Sequence, residues 1–235
     1  MTPTVTDLAA ALAPLLDAAR YHAEGDPGGV WIASDRLVHR LGVCLTADRR
    51  PEGWLPASVD ALLVHRPFGL WPARLPVGVG VLAVHRALDD RLATGHNPAL
   101  AAEIGLVLDT EPLTRGGHVV GMTGRMAGDA GARILAAFGG AEATEGEPDA
   151  TGRVATGRVA VVGAMTEVLM LDAAARGVGL YVTGQMRPPA LAAARRTGMR
   201  VVAVGQERSE RWGLRHVGRV LAGAFPGLDV VDLDV

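Results

Sequence analysis

The sequence predicts an α/β fold with two lobes, and three observations lead to that class. Two aliphatic runs, residues 59–67 and 79–89, each reach a His-Arg pair, and such runs are typical of strands buried on both faces of a parallel sheet. From residue 159 onward, apolar runs alternate with helical segments, which is the pattern of βαβ units. Between residues 106 and 158 this alternation is interrupted, which indicates that the chain divides into two lobes.

The composition limits the class of protein. The chain has 235 residues, 49% of them hydrophobic and 20% charged, which is enough apolar surface for a large core. The net charge is −2, so we do not expect a nucleic-acid partner, and we interpret the arginine-rich segment 208–219 as a solvated helix face. The single cysteine, Cys44, excludes an internal disulfide and is expected in the core. Neither a membrane-spanning apolar stretch nor a signal peptide is recognisable, so we expect a cytoplasmic protein without a membrane partner.

Glycine, proline and capping residues set the expected elements of the first half of the chain. In order, these are a helix capped by Thr6 or Asp7 that Pro14 kinks or splits before about Ala23, a turn at 25–29, extended segments at 30–33 and 36–46, the two His-Arg strands, a polar turn beginning at 89–93, and a helix capped by Asn97 and ended by Gly105.

The second half is expected to begin with short strands and to end in a βαβ pattern. In order, the elements are strands at 107–110 and 118–122, a helix at 128–138, a mobile acidic loop at 142–153, a strand at 159–162, a helix at 166–176, a strand at 180–182, a helix at 188–197, a strand at 201–204, a helix at 209–225 and a strand at 228–235.

The ends of the two His-Arg strands form the first candidate site. In open α/β sheets, ligands bind where strands end, so we expect His65 and His85 side by side at one sheet edge, with Asp89 four residues beyond His85. Imidazole and carboxylate groups are ligands for zinc, manganese or iron. The alternative is that both histidines only cap or pack at strand ends.

Two glycine-containing turns that follow strands are further candidates. Thr183-Gly184-Gln185 allows a ligand to approach the backbone closely, although an ordinary left-handed turn explains it as well. Gly205–Glu210 opens a helix, where a carboxylate is stabilised by the helix dipole, although a capping box explains this pattern too. The chain has no dinucleotide fingerprint, Walker motif or Gly-x-Ser-x-Gly elbow.

Taken together, these stretches resemble one family, the Nif-three-like (NGG-one-interacting-factor-three-like) dinuclear metal centre proteins, also labelled homologues of type 2 GTP cyclohydrolase I. The family's strand with His-His-Pro corresponds to residues 59–68, and its His-Thr-Asn-Leu-Asp corresponds to 85–89. Its Thr-Gly-Glu corresponds to 183–185, and its Gly-His-x-x-Ser/Thr-Glu corresponds to 205–210.

The resemblance implies a two-lobe α/β sandwich with mixed or parallel sheets, a homohexamer and a paired metal site. Lobe one would comprise about 1–106 plus 207–235, and lobe two about 107–206. We predict His85 and Glu210 as catalytic residues on this basis.

The chain departs from the family at several ligand positions. Arg66 replaces a histidine, and its guanidinium is always protonated and cannot bind a cation. Gln206 replaces another histidine, and Gln185 stands where the family has glutamate. Each of the two metals therefore loses a histidine. The predicted metal ligands that remain are His65, Asp89 and Glu210.

Two hypotheses follow. In the first, the three remaining ligands and water hold a divalent zinc, iron or manganese ion, and the protein is a metal-dependent hydrolase, either GTP cyclohydrolase-like or acting on phosphoesters or amides. In the second, which the sequence favours, the metals are absent and the protein is a binding or scaffold member of the family. Arg66 then pairs with Asp89 or Glu210 in a bidentate fork.

The second hypothesis also names a ligand. A small anionic molecule would bind through Arg66 and Arg86, with Gln185 and Gln206 as further binding residues. Apart from this ligand, the expected partners are copies of the same chain.

Overall fold

The structure, a computed structural model, describes residues 1–26, 28–47, 55–56, 58–146 and 157–234. In these ranges it contains eight α-helices and twelve strands. The helices are α1 (Val5–Leu16), α2 (Ala18–Ala23), α3 (Arg86–Arg91), α4 (Pro98–Ile104), α5 (Ala130–Phe138), α6 (Glu167–Ala175), α7 (Pro188–Thr197) and α8 (Gln206–Ala224). The strands are β1 (Gly28–Ile32), β2 (Arg40–Thr46), β3 (Ala61–Arg66), β4 (Gly80–Val84), β5 (Leu106–Leu108), β6 (Leu113–Arg115), β7 (His118–Met126), β8 (Ala143–Glu145), β9 (Gly157–Val162), β10 (Val178–Thr183), β11 (Arg200–Ala203) and β12 (Asp229–Asp232).

The chain forms two compact units. The first comprises Met1–Leu88 and Gly213–Val235, and the second comprises Asp89–Trp212. The boundaries therefore fall inside α3 and inside α8. From the sequence, the divisions were expected near residues 106 and 207.

The sheet of the first unit contains both His-Arg strands at its centre. Its strand order is β1-β4-β3-β2-β12, with β12, β2, β3 and β4 parallel and β1 antiparallel to β4. All residues of β4 and the first five of β3 are buried, as the continuous apolar runs predict. Cys44 is completely buried in the core cluster on one face, which confirms its expected place.

The second unit contains a mixed sheet covered on both faces. Its order is β5-β7-β9-β10-β11-β8, with β6 paired to β7. Strands β9, β10 and β11 are parallel, which confirms the predicted βαβ pattern. Alternate residues of β9 enter different clusters: Val159 and Val161 pack with α4 and α5, whereas Ala160 and Val162 pack with α6 and α7.

The first helix begins earlier than its sequence suggested. Thr4, rather than Thr6 or Asp7, is the cap: its hydroxyl accepts a hydrogen bond from the Asp7 amide, and the Asp7 carboxylate accepts one from the Thr4 amide. Pro14 lies inside α1, and the chain breaks instead at Asp17, whose left-handed φ of 52° separates α1 from α2. The predicted helix is therefore split, but three residues after the proline.

Two other expectations were wrong in part. Residues 89–93 were predicted to start a polar turn, but Asp89 lies within α3, because the Asp26 carboxylate accepts a hydrogen bond from the amide of Arg86, its first residue. The acidic segment 142–153 was predicted to be a mobile loop, yet β8 pairs with β11 in its first part. Residues 147–153 lie outside the described residues.

Several boundaries also moved. Helix α8 begins at Gln206 rather than at residue 209, because the Ser209 amide already donates to the carbonyl of Gly205. Strand β7 continues to Met126 because it pairs with β9 as far as Gly157. The helix from Asn97 to Gly105 is confirmed: the Asn97 side chain caps α4, and Gly105 ends it with a φ of 70°. Within the described ranges, no helix has the length and apolar character needed to cross a membrane.

The tight packing around Gly42 generates a test of the first sheet. A Cβ atom at Gly42 would lie 2.6 Å from Leu233 Cδ1 and 3.1 Å from Leu62 Cδ2. Because β2 is central and its neighbours are buried, we expect Gly42→Ala to lower the free energy of unfolding by about 1–3 kcal/mol in urea denaturation. Gly223→Ala is the matched control, since nothing lies within 4 Å of a Cβ there and alanine favours a helix. Equal losses in both variants would contradict this packing.

Candidate metal centre

The two strand-end histidines of the first unit lie side by side, as predicted. Strands β3 and β4 are parallel neighbours, and the pairing of Val64 with Ala83 brings His65 opposite Val84. The rings of His65 and His85 are 5.4 Å apart between centroids and are tilted by 34°. Parallel register thus brings together two imidazoles that are 20 residues apart in the chain.

His65 is held in one tautomer by the backbone. Its Nδ1 lies 2.7 Å from the carbonyl oxygen of Val84, and the residue is only 1% exposed. A carbonyl oxygen can only accept, so Nδ1 carries the proton. The lone pair of the neutral ring is then on Nε2. A backbone hydrogen bond of this kind is what fixes the orientation of histidines that bind metals.

His85 is held in the same way by a carboxylate. Its Nδ1 lies 2.8 Å from Asp26 Oδ1, and the ring of Phe68 meets it edge-on at 5.1 Å. About a quarter of the His85 side chain is exposed, whereas Asp26 is nearly completely buried. Sequence reasoning missed Asp26, because the segment around it has only the signal of a turn. The contact joins residues that are 59 positions apart.

The second unit positions Asp89 through its main chain. Asp89 is half-buried in α3, in its first turn. A Cβ atom at Gly163, directly after β9, would lie 2.6 Å from the carbonyl oxygen of Asp89. The Gly163 amide in turn donates to the carbonyl of Val120 on β7. Glycine is therefore required at 163 so that the start of the Asp89 segment can pack against the sheet.

Glu210 lies in the first turns of α8 and is 1% exposed. Gln206 Nε2 donates to Glu210 Oε1 at 2.7 Å, one helical turn away. Ser209 is also buried, and its hydroxyl donates to the Gln206 carbonyl. A Cβ at Gly184 would lie 2.9 Å from Ser209 Oγ, so the glycine of the Thr183-Gly184-Gln185 turn permits close approach of α8.

Gln185 and Gln206, both predicted binding residues, line one pocket of the second unit. Its volume is about 530 Å³, and its other lining residues are Glu142, Gly205, Glu207, Arg208 and Arg211. Glu142 is held there because its amide donates to the carbonyl of Ala203 at the end of β11. The sequence interpretation had assigned Glu142 to a mobile loop and so did not connect it with this pocket.

The two arginines predicted to bind an anion occupy different surroundings. Arg66 is the last residue of β3 and is half-buried. Arg86 forms an ion pair with Glu24 at 3.1 Å, and its guanidinium lies 5.7 Å from the centroid of the Tyr21 ring. Much of the positive charge of Arg86 is therefore already engaged by the segment after α2.

The donor set suits one hard or borderline cation better than two. A His–Asp–Glu group that could hold a metal ion is present among the described residues: His65, Asp89 and Glu210. One imidazole and two carboxylates are ligands for zinc, iron(II) or manganese. The Gln206 amide nitrogen is directed at Glu210, and an amide nitrogen is not a metal ligand.

Comparison with known proteins decides the family. The family model described as Duf34/NIF3 (NGG1p interacting factor 3) matches residues 73–235. The chain belongs to this family. A NIF3-type fold also agrees with the similarity to the crystal structure of TTHA1606 from Thermus thermophilus, whose TM-score is 0.69 at 24% identity, with 99% of this chain and 98% of that chain covered.

Two curated relatives of this NIF3 family member carry the name GTP cyclohydrolase 1 type 2 homolog. The protein from Allochromatium vinosum is 27% identical, with 94% of this chain and 92% of the relative covered. The protein from Pseudomonas aeruginosa is 26% identical, with 89% of each chain covered.

The packing at Gly163 and Gly184 predicts two effects of different size. In Gly163→Ala the new methyl group meets a main-chain oxygen, which can move only if the Asp89 segment moves. In Gly184→Ala it meets the side-chain atoms Ser209 Oγ and Gln206 Oε1, which can rotate away. We therefore expect Gly163→Ala to cause the larger fall in the urea midpoint and the larger amide shift at Asp89. Gly179→Ala, where nothing lies within 4 Å, is the control. A larger effect in Gly184→Ala would refute this order.

Proposed function

We propose that this NIF3 family member binds one divalent cation through His65, Asp89 and Glu210 and acts as a metal-dependent hydrolase. The observation that carries the proposal is the hydrogen bond from His65 Nδ1 to the Val84 carbonyl. It leaves the Nε2 lone pair of a buried imidazole as the ligand atom, without the need to reorganise the ring when a cation binds.

Two substitutions support one cation rather than the pair that the family resemblance implies. Arg66 replaces a neutral imidazole by a permanent positive charge. At 4 Å, two unit charges of one sign repel by about 1 kcal/mol in water and by about 4 kcal/mol at an effective dielectric constant near 20, and a divalent ion doubles this. Gln206 replaces a second imidazole and donates to Glu210 instead. Both changes remove ligands that a second ion requires.

The residues of the chain would divide the chemistry between them. A bound divalent cation would supply a hydroxide nucleophile at neutral pH by lowering the pKa of its water. The Gln206 hydrogen bond holds the Glu210 carboxylate in one orientation. His85 has its Nδ1 on Asp26, so its Nε2 is the atom that can accept a proton from water and return it to the leaving group.

The second candidate function is metal-free binding of a small anion, with Arg66 in place of the cations. The observation that favours it is again the Gln206–Glu210 hydrogen bond of 2.7 Å. An amide donor satisfies a buried carboxylate that would otherwise need a positive partner. In this alternative Glu210 is a structural group, and the chain is a binding or scaffold protein.

Metal analysis separates the two candidates. We expect the protein, purified without chelator, to contain close to one zinc, iron or manganese per chain by plasma mass spectrometry. His65→Ala should lose this metal because it removes the imidazole ligand. His39→Ala should retain it, because His39 is exposed and not among the proposed ligands. A protein without metal, or a His65→Ala variant that keeps it, would contradict the metal-bound proposal.

Restoring the replaced ligands tests why there is one ion. We expect the double variant Arg66→His, Gln206→His to bind a second divalent ion, because it removes one positive charge and adds two imidazoles. Each single variant should stay near one ion per chain. If the double variant gains nothing, the two substitutions do not explain the stoichiometry.

Hydrolysis is tested separately from metal binding. We expect His85→Gln to keep the metal and to lose at least tenfold in hydrolysis of a chromogenic phosphodiester, an anilide or GTP, whichever the wild type cleaves, since general-base groups contribute about 10²–10⁴-fold. A metal-loaded wild-type protein that cleaves none of these probes would count against the hydrolase half of the proposal.

A further inference from the structure

Asp26 is a buried carboxylate with two defined partners. Its side chain is 2% exposed. Oδ1 lies 2.8 Å from His85 Nδ1, and Oδ2 accepts a hydrogen bond of 3.1 Å from the Arg86 amide. Burying a carboxylate is costly unless its oxygens are hydrogen-bonded, so both contacts are needed to keep Asp26 in the core of the first unit.

The two oxygens of Asp26 do different work. Oδ2 caps the start of α3, which is a structural role. Oδ1 can only accept, so the His85 nitrogen that faces it must carry a proton. The neutral ring then has its lone pair on Nε2. The edge-on contact with Phe68 and the neighbouring ring of His65 restrict rotation about the His85 side chain.

The segment that carries Asp26 is itself fastened to the same place. Arg86 pairs with Glu24 at 3.1 Å and lies over the ring of Tyr21. Residues 21–26 therefore hold the junction between β4 and α3 at three points. This arrangement is more than a helix cap requires, and it fixes the distance between Asp26 and His85.

We propose that Asp26 is a positioning residue that locks His85 as the Nδ1–H tautomer and thereby presents Nε2 as a proton acceptor. The inference rests on the proposed function for the use of that acceptor, because it names the group that prepares His85 for it. The tautomer itself depends only on contacts within the first unit. Asp26 does not touch substrate; it acts through His85.

Asp26→Asn is the discriminating variant. The asparagine carbonyl can still accept from the Arg86 amide and so keep the cap of α3. Its amide nitrogen is a donor, so it will pair with His85 only if Nδ1 is the acceptor. We expect long-range ¹H–¹⁵N spectra at about pH 8.5, where an ordinary imidazole is neutral, to show pyrrole-type Nδ1 and pyridine-type Nε2 in the wild type and the reverse in Asp26→Asn. His85→Gln assigns the signals.

Glu24→Gln is the matched control. It weakens the ion pair with Arg86 in the same segment but leaves the Asp26 carboxylate intact, so the wild-type tautomer should persist. A wild-type His85 with the proton on Nε2, or an unchanged tautomer in Asp26→Asn, would overturn the proposal. If Asp26→Asn does not fold, the wild-type spectrum alone still decides the tautomer.

The spectra should be recorded on protein treated with EDTA. The tautomer result then does not depend on whether a metal binds, so its failure is distinguishable from a failure of the metal proposal. Where the wild type hydrolyses a probe, Asp26→Asn should lower kcat at least tenfold with KM within twofold, whereas Glu24→Gln should change neither by more than twofold. Equal losses in both variants would show a merely structural role and would overturn the positioning role.

Discussion

The hydrogen bond from His65 Nδ1 to the Val84 carbonyl joins the two central strands of the first sheet at the point where each strand ends. It exists because β3 and β4 are parallel and in a register that pairs Val64 with Ala83. The apolar residues of both strands fix that register, since they are buried on both faces. The direction of the His65 ring, and with it the ligand atom proposed for a cation, is therefore determined by the packing of the sheet.

The same principle extends to His85 and Glu210, although their partners differ. His85 is directed by a carboxylate from the turn after α2, and Glu210 is directed by an amide one helical turn away. Each chemically active side chain thus has one polar atom held by a neighbour that does not react. Arg66 and Gln206 alter this system at two points, by adding a positive charge and by replacing a ligand with a donor. These changes explain how a family site could keep its architecture while holding fewer ions.

Sequence patterns predicted the parts of the fold that depend on local or periodic signals. The buried parallel strands follow from continuous apolar runs, and the cap at Asn97 and the stop at Gly105 follow from the preferences of those residues. The adjacency of His65 and His85 was predictable because parallel strands end at one edge of a sheet. Thr4 was missed because its partner, Asp7, is itself a good capping residue.

What the sequence could not predict depends on contacts between distant segments. Asp26 has no local signal of function, because its role arises from a hydrogen bond across 59 residues. The α3 helix was mistaken for a turn for the same reason, since its cap comes from Asp26 rather than from its own segment. The strand at Ala143–Glu145 forms only because β11 offers it an edge. Compact packing supplies these partners, and no periodicity in the chain announces them.

The central claim is that His65 Nε2 binds a single cation in this chain. Anomalous diffraction from crystals of the protein, recorded on both sides of the absorption edge of the metal that co-purifies, tests it most directly. The account predicts one anomalous peak per chain, within bonding distance of His65 Nε2 and of oxygen atoms from Asp89 and Glu210. Two peaks per chain, no peak, or a peak that does not contact His65 Nε2 would contradict it.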